Sequence, residues 1–123
     1  MKSALVVVFG ALVTVNSFSA ESTLQNDPIL MEHWPPYYRP LVAYVWSGVP
    51  IQWVNKTASP HSVRDDDCVT GETCLFDSRS VRPGESYTIP GLPPGRYPYH
   101  CELHPIMGGT LIVEKPAGKT SLQ

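Results

Sequence analysis

Near the end of the chain, the stretch YHCELHPIM sets Cys101, His104 and Met107 at intervals of three. A thiolate, an imidazole and a thioether gathered in one loop are metal donors of graded softness. With one more imidazole they match the trigonal His₂Cys site with a weak axial Met that holds copper for electron transfer. Zinc also takes Cys and His, but Met107 would be an odd fourth ligand for it. Without a metal, Cys101 would be read as a small buried hydrophobe, which is common for a free cysteine.

The second imidazole must come from elsewhere, and the chain offers His33, His61 and His100. Along RYPYHC side chains alternate, so Tyr97, Tyr99 and Cys101 share one face while Pro98 and His100 take the other. His61 lies in ASPHSV, directly after the strand-like PIQWVN, where a sandwich can return it to the rim of Cys101. His61 is therefore preferred. His33 reads as an edge-strand residue, although Met31, two places earlier, keeps a second copper site open.

The elements that position these residues are short. Runs of strand formers recur between turn signals: LVAYVW, PIQWVN, ESYTI, GRYPYHC and GTLIVE. No segment keeps a helical period, and the expectation is an all-β Greek-key β-sandwich. A tight turn is expected at RPGE, and PGLPPG separates the strands on either side of it. The three prolines of MEHWPPYYRP confine that segment to an edge strand or irregular structure. Trp34, Trp46 and Trp53 are expected as core or partly buried packing residues.

Residues 1–20 read as a secretory signal peptide, with Lys2, an apolar run from Ala4 to Val15 and the small-residue segment NSFSA. That run is shorter than the roughly 20 apolar residues of a membrane span. Residues 21–123 then form a single domain in a soluble, periplasmic protein with no stable membrane insertion. Without Lys2, eight basic residues stand against eleven acidic ones, a net charge of −3, which disfavours a nucleic-acid surface. Asp65, Asp66 and Asp67 read as a solvated loop, with a docking patch for a basic partner as the alternative. Three cysteines in an exported chain leave one over. Cys68 and Cys74 are expected as a disulfide, against a second metal site or two free thiols, so Cys101 is the unpaired thiol.

YPYHCELHPIMGGTLIVE resembles the copper loop of the cupredoxin (blue copper) family, and its C-x2-H-x2-M spacing is similar to that of the amicyanins. WVNKTASPHSV likewise resembles the family segment that carries the first histidine ligand. The resemblance implies one type 1 Cu ion held by His61, Cys101, His104 and Met107. Two departures stand out. Ser62 replaces the Asn that often follows the first histidine, donates its backbone N–H to the cysteine sulfur and braces the ligand loop with its side chain; the backbone bond can survive the change, the brace is at issue. The stretch from Arg64 to Cys74 looks like an insertion relative to amicyanins.

The expected function is that of a one-electron carrier cycling Cu(II) and Cu(I), with redox partner proteins of cytochrome or dehydrogenase type, acting as a monomer. A copper buffering, delivery or resistance protein is the second reading, since the same four ligands would serve it. An enzyme is not expected: the chain has no H-x-H pairs for a trinuclear copper cluster and no C-x-x-C-H for covalent haem. Pro60, Pro105 and Ile106 are expected around His104, as partner-docking surface or as ordinary cover.

Overall fold

The computed structural model describes residues 10, 24–71 and 73–117. The signal segment, apart from Gly10, and the tail from residue 118 lie outside the described residues. In chain order the elements are β1 (Ile29–Met31), β2 (Tyr38–Arg39), β3 (Val42–Trp46), β4 (Ile51–Asn55), β5 (Arg64–Asp65), α1 (Asp67–Thr70), β6 (Ser86–Ile89), β7 (Gly95–His100) and β8 (Gly108–Glu114). They form two four-stranded sheets, ordered β2-β1-β4-β6 and β3-β8-β7-β5, in a Greek-key sandwich. The five strand-like runs of the sequence are β3, β4, β6, β7 and β8.

Pairing is mixed: β1 runs parallel to β4 and β3 parallel to β8, while the remaining ladders are antiparallel. Parallel partners cannot be joined by a tight turn, and here the chain passes between sheets, from β3 to β4 and from β6 to β7. The core lies between the sheets. Trp53 of β4 meets Tyr99 of β7 edge-on at 5.5 Å, and Tyr99 meets Tyr38 of β2 at 4.7 Å. These edge-to-face contacts suit the ring quadrupoles.

Most of the proline-rich segment resolves as expected, into an irregular loop and the two-residue edge strand β2, but its first residue, Met31, ends β1, which is interior to the sheet. One tryptophan departs from expectation. Trp53 is fully buried and Trp46 partly so, but Trp34 is 76% exposed, because it sits in that loop, outside both strands and just before Pro35 and Pro36. The turn at RPGE forms as expected: Glu85 N–H bonds the Arg82 carbonyl at 3.0 Å, and Gly84 supplies the positive φ of 79° that a Pro-Gly turn needs. Asn55 and Gly84 bond at 2.9 Å and tie this turn to the end of β4.

Gly109, two residues past Met107, faces Tyr99 across the β7–β8 ladder. A Cβ there would lie 2.6 Å from the Tyr99 ring and hydroxyl, and Tyr99 is boxed in by Tyr38, Trp53 and Phe76. Gly109→Ala is therefore expected to destabilise the fold by about 1–3 kcal/mol through overpacking. The urea midpoint should fall with an unchanged slope, and a midpoint equal to wild type would show that the aromatic core has slack.

Candidate metal centre

The first histidine is aimed by Asn55. Its buried amide donates to the Ser59 and Val81 carbonyls at 2.8 and 2.9 Å and accepts from the Thr57 N–H and hydroxyl at 2.9 and 2.8 Å. Four bonds from one side chain fold residues 55–59 into a fixed turn. His61 then exchanges backbone bonds with Val81, 3.1 Å as donor and 2.7 Å as acceptor. This sets the imidazole at the end of the sandwich.

The other donors come from the loop between β7 and β8. Cys101 follows β7 on the core face shared with Tyr99, and it has no exposed surface. Its N–H bonds the Met107 carbonyl at 2.9 Å, and the Met107 N–H bonds the His104 carbonyl at 2.8 Å, so the backbone closes the loop on itself. Cys101 and Met107 are buried while His104 stays exposed. His100 points away from the site, as alternation requires, and its Nδ1 bonds the Asp66 carboxylate at 2.6 Å.

The donor atoms converge. Nδ1 of His61 and Nδ1 of His104 lie 3.1 Å apart, and they lie 3.9 and 3.8 Å from the Cys101 sulfur. Bonds of about 2.0 Å to nitrogen and 2.3 Å to sulfur, as for a first-row ion such as zinc, would separate donors in a trigonal plane by roughly 3.5–3.7 Å. The donor set fits a small ion bound in such a plane. Met107 lines, with His61 and His104, a cavity of about 210 Å³ that opens to the rim beside Glu32, His33, Tyr37 and Ile106.

The comparisons follow this geometry. No protein-family model matches the chain. The chain is 34% identical over 104 residues to amicyanin of Paracoccus denitrificans, covering 85% of this chain and 79% of that protein. It is 32% identical over 112 residues to the chloroplastic plastocyanin of Tetradesmus obliquus, covering 85% and 77%. The solved structure of a reduced amicyanin mutant superposes with a TM-score of 0.62 at 26% identity, covering 72% of this chain and 82% of that one. The chain belongs to the cupredoxin family.

Three features of this cupredoxin were hidden in its sequence. Ser62 keeps the backbone bond, with its N–H 3.3 Å from the Cys101 sulfur, and it also restores the brace, because its hydroxyl accepts the Glu102 N–H at 2.8 Å. Tyr38 donates its hydroxyl to the Ser62 carbonyl at 2.5 Å. Burial pushes the Tyr38 phenol far up, and the nearness of Cys101 adds to the shift. Asp65 is buried, not solvated: its carboxylate accepts the N–H groups of Asp67 and Leu75 at 3.1 Å each. Only the density of Asp and Cys in that loop hinted at such a role.

The Cys68–Cys74 disulfide is present, and Cys101 is the free thiol. Met31 and His33 do not share a site: Met31 is sealed in the core, whereas His33 is exposed beyond the end of β1 and its Nε2 accepts the Ala58 N–H at 3.2 Å. Among the described residues the metal-ligating cluster of His, Cys and carboxylate groups is His61, Cys101 and His104.

Burial lowers the basicity of His61, and His104 and His33 lower it further. An unfolded histidine titrates near about 6.5, so below that pH the unfolded chain binds the proton more readily and stability falls with pH. The urea midpoint of copper-free protein is therefore expected to decline as pH drops from about 6.5 towards 5, and His61→Gln should flatten that decline. A flat wild-type profile over this window would contradict the placement of His61.

Proposed function

We propose that this cupredoxin is an exported, periplasmic one-electron carrier that cycles one type 1 copper ion between Cu(II) and Cu(I) at His61, Cys101, His104 and Met107. The convergence of two Nδ1 atoms and one thiolate sulfur within 3.9 Å, with Met107 beside them, carries this reading. Bound there, copper would supply a one-electron couple, and Met107 would offer the weak thioether that tunes it. Cys101 would offer the most covalent ligand, and the Ser62 N–H would steady its charge. His61 is fixed by Val81 and buried, so it holds its position in either oxidation state.

His104 is the exposed member of the set, and its outer edge is where an electron would enter or leave. Around it Pro60, Pro105 and Ile106 are exposed, the last by 79%. This apolar rim suits brief docking of a redox partner protein of cytochrome or dehydrogenase type, because such encounters need small interfaces. Amicyanin and plastocyanin relatives support carriage of electrons over turnover of a substrate. Copper buffering or delivery keeps the same four ligands but loses its one extra sign, since Met31 and His33 are apart. Residues 1–20 as a signal segment and 21–123 as one domain complete the reading. Among the described residues no helix is long and apolar enough to cross a membrane.

The test is the visible spectrum of the mature protein with one equivalent of Cu(II), before and after ascorbate. An intense thiolate-to-copper band should appear, bleach on reduction and return on oxidation, and Cys101→Ser should abolish it. Folded, copper-loaded wild type without such a band would remove Cys101 from the ligand set and electron carriage with it.

A further inference from the structure

The stretch from Arg64 to Cys74 touches both chain neighbours of Cys101. Arg64 of β5 sits opposite His100 in the β5–β7 ladder, and its guanidinium forms ion pairs with Glu102 and, at 3.5 Å, with Asp77. Nη2 of Arg64 also donates to the Cys68 carbonyl at 3.4 Å. Two residues on, the Asp66 carboxylate accepts Nδ1–H of His100 at 2.6 Å, and the Asp66 N–H donates to the Pro98 carbonyl at 3.0 Å. The residue before the thiolate and the residue after it are thus each held by a charged side chain of one loop.

That loop is itself fixed. The buried Asp65 carboxylate bonds the N–H groups of Asp67 and Leu75, so it spans the ring that Cys68 and Cys74 close. Asp65 and Ser78 bond to Phe76 and Val63 at 3.0 and 2.9 Å and fasten the base of the loop. Ser62, which bonds the sulfur and the Glu102 N–H, lies two residues before Arg64. Side chain and backbone therefore grip Glu102 from the same segment.

We propose that Arg64 and Asp66 are positioning residues for the Cys101 thiolate, presented by the disulfide-closed loop as a clamp on the two residues that flank it. The inference rests on Cys101 being a copper ligand. Both contacts are half-exposed, with Arg64 and Asp66 side chains 26% and 47% accessible, so neither is worth much to global stability. Their effect is local, on how often the end of β7 and the ligand loop open.

The experiment measures how fast the thiol of Cys101 reacts with dithiobis(nitrobenzoate) in copper-free protein with its disulfide intact. Arg64→Met, Asp66→Asn and Glu102→Gln should each speed the reaction about three- to tenfold, the scale on which losing one charge-assisted bond shifts a local opening equilibrium. Arg64→Lys should restore much of the protection. In Cu(II)-loaded protein the same variants should shift the copper hyperfine splitting, a readout that a merely structural role would not move. Wild-type thiol rates and splittings in the folded variants would overturn the proposal. So would acceleration that only tracks the change in global unfolding. Should Arg64→Met not fold, Glu102→Gln and Asp66→Asn decide it from the other ends of the contacts. The thiol reaction needs no metal, so a missing thiolate-to-copper band in wild type would sink the ligand reading separately.

Discussion

A cysteine sulfur with no exposed surface can serve a metal as a thiolate in a β-sandwich only where polar groups meet it, because an unpaired buried charge is costly. Here that requirement falls on Ser62, and it uses every polar group it has. Its N–H faces the Cys101 sulfur, its carbonyl accepts the Tyr38 hydroxyl, and its side chain accepts the Glu102 N–H. The edge hairpin, the segment carrying His61 and the ligand loop are therefore coupled through one residue. Removing the bond to Cys101 or to Tyr38 would leave a buried partner unsatisfied, which costs more than the bond itself contributes. The network behaves as a unit for that reason.

What the sequence disclosed depended on whether the governing contacts were local. The Cys-His-Met spacing and the side-chain alternation of RYPYHC are local, and they anticipated that Cys101, His104 and Met107 lie at one place and that His100 turns away from it. Five strands and the disulfide were legible for the same reason. The parallel pairing of β1 with β4 was not, since register between residues 24 apart leaves no local mark. Nor was the role of Asp65, whose neighbours Asp66 and Asp67 make it look solvated although its carboxylate organises the loop. Trp34 was judged by residue type, and the second site left open at Met31 and His33 rested on strand alternation, whereas β1 ends at Met31 and that end decides what is buried.

Rigidity around the site comes from unrelated sources that act on one place. Asn55 fixes the approach to His61 by four hydrogen bonds, and two backbone bonds close the loop from Cys101 to Met107. Beneath them Tyr38, Tyr99, Trp53 and Phe76 form a continuous aromatic floor with centroid separations of 4.7 to 6.2 Å. Close-packed interiors transmit strain and do not deform smoothly. A donor set mounted on such a floor keeps its geometry while the charge of a bound ion changes by one.

The asymmetry of exposure completes the argument. His61, Cys101 and Met107 are buried, so little solvent reaches them, and of the four only His104 is exposed. A site meant to release its ion would gain from ligands that can leave one by one. Here three of the four are locked by contacts belonging to the fold: His61 through Val81, Cys101 through Ser62, and Met107 through its own backbone bonds to Cys101 and His104. Loss of the ion would require loosening those contacts, whereas passage of an electron through the His104 edge requires loosening none. The same hydrogen bonds that build the donor triangle therefore favour exchange of electrons over exchange of metal.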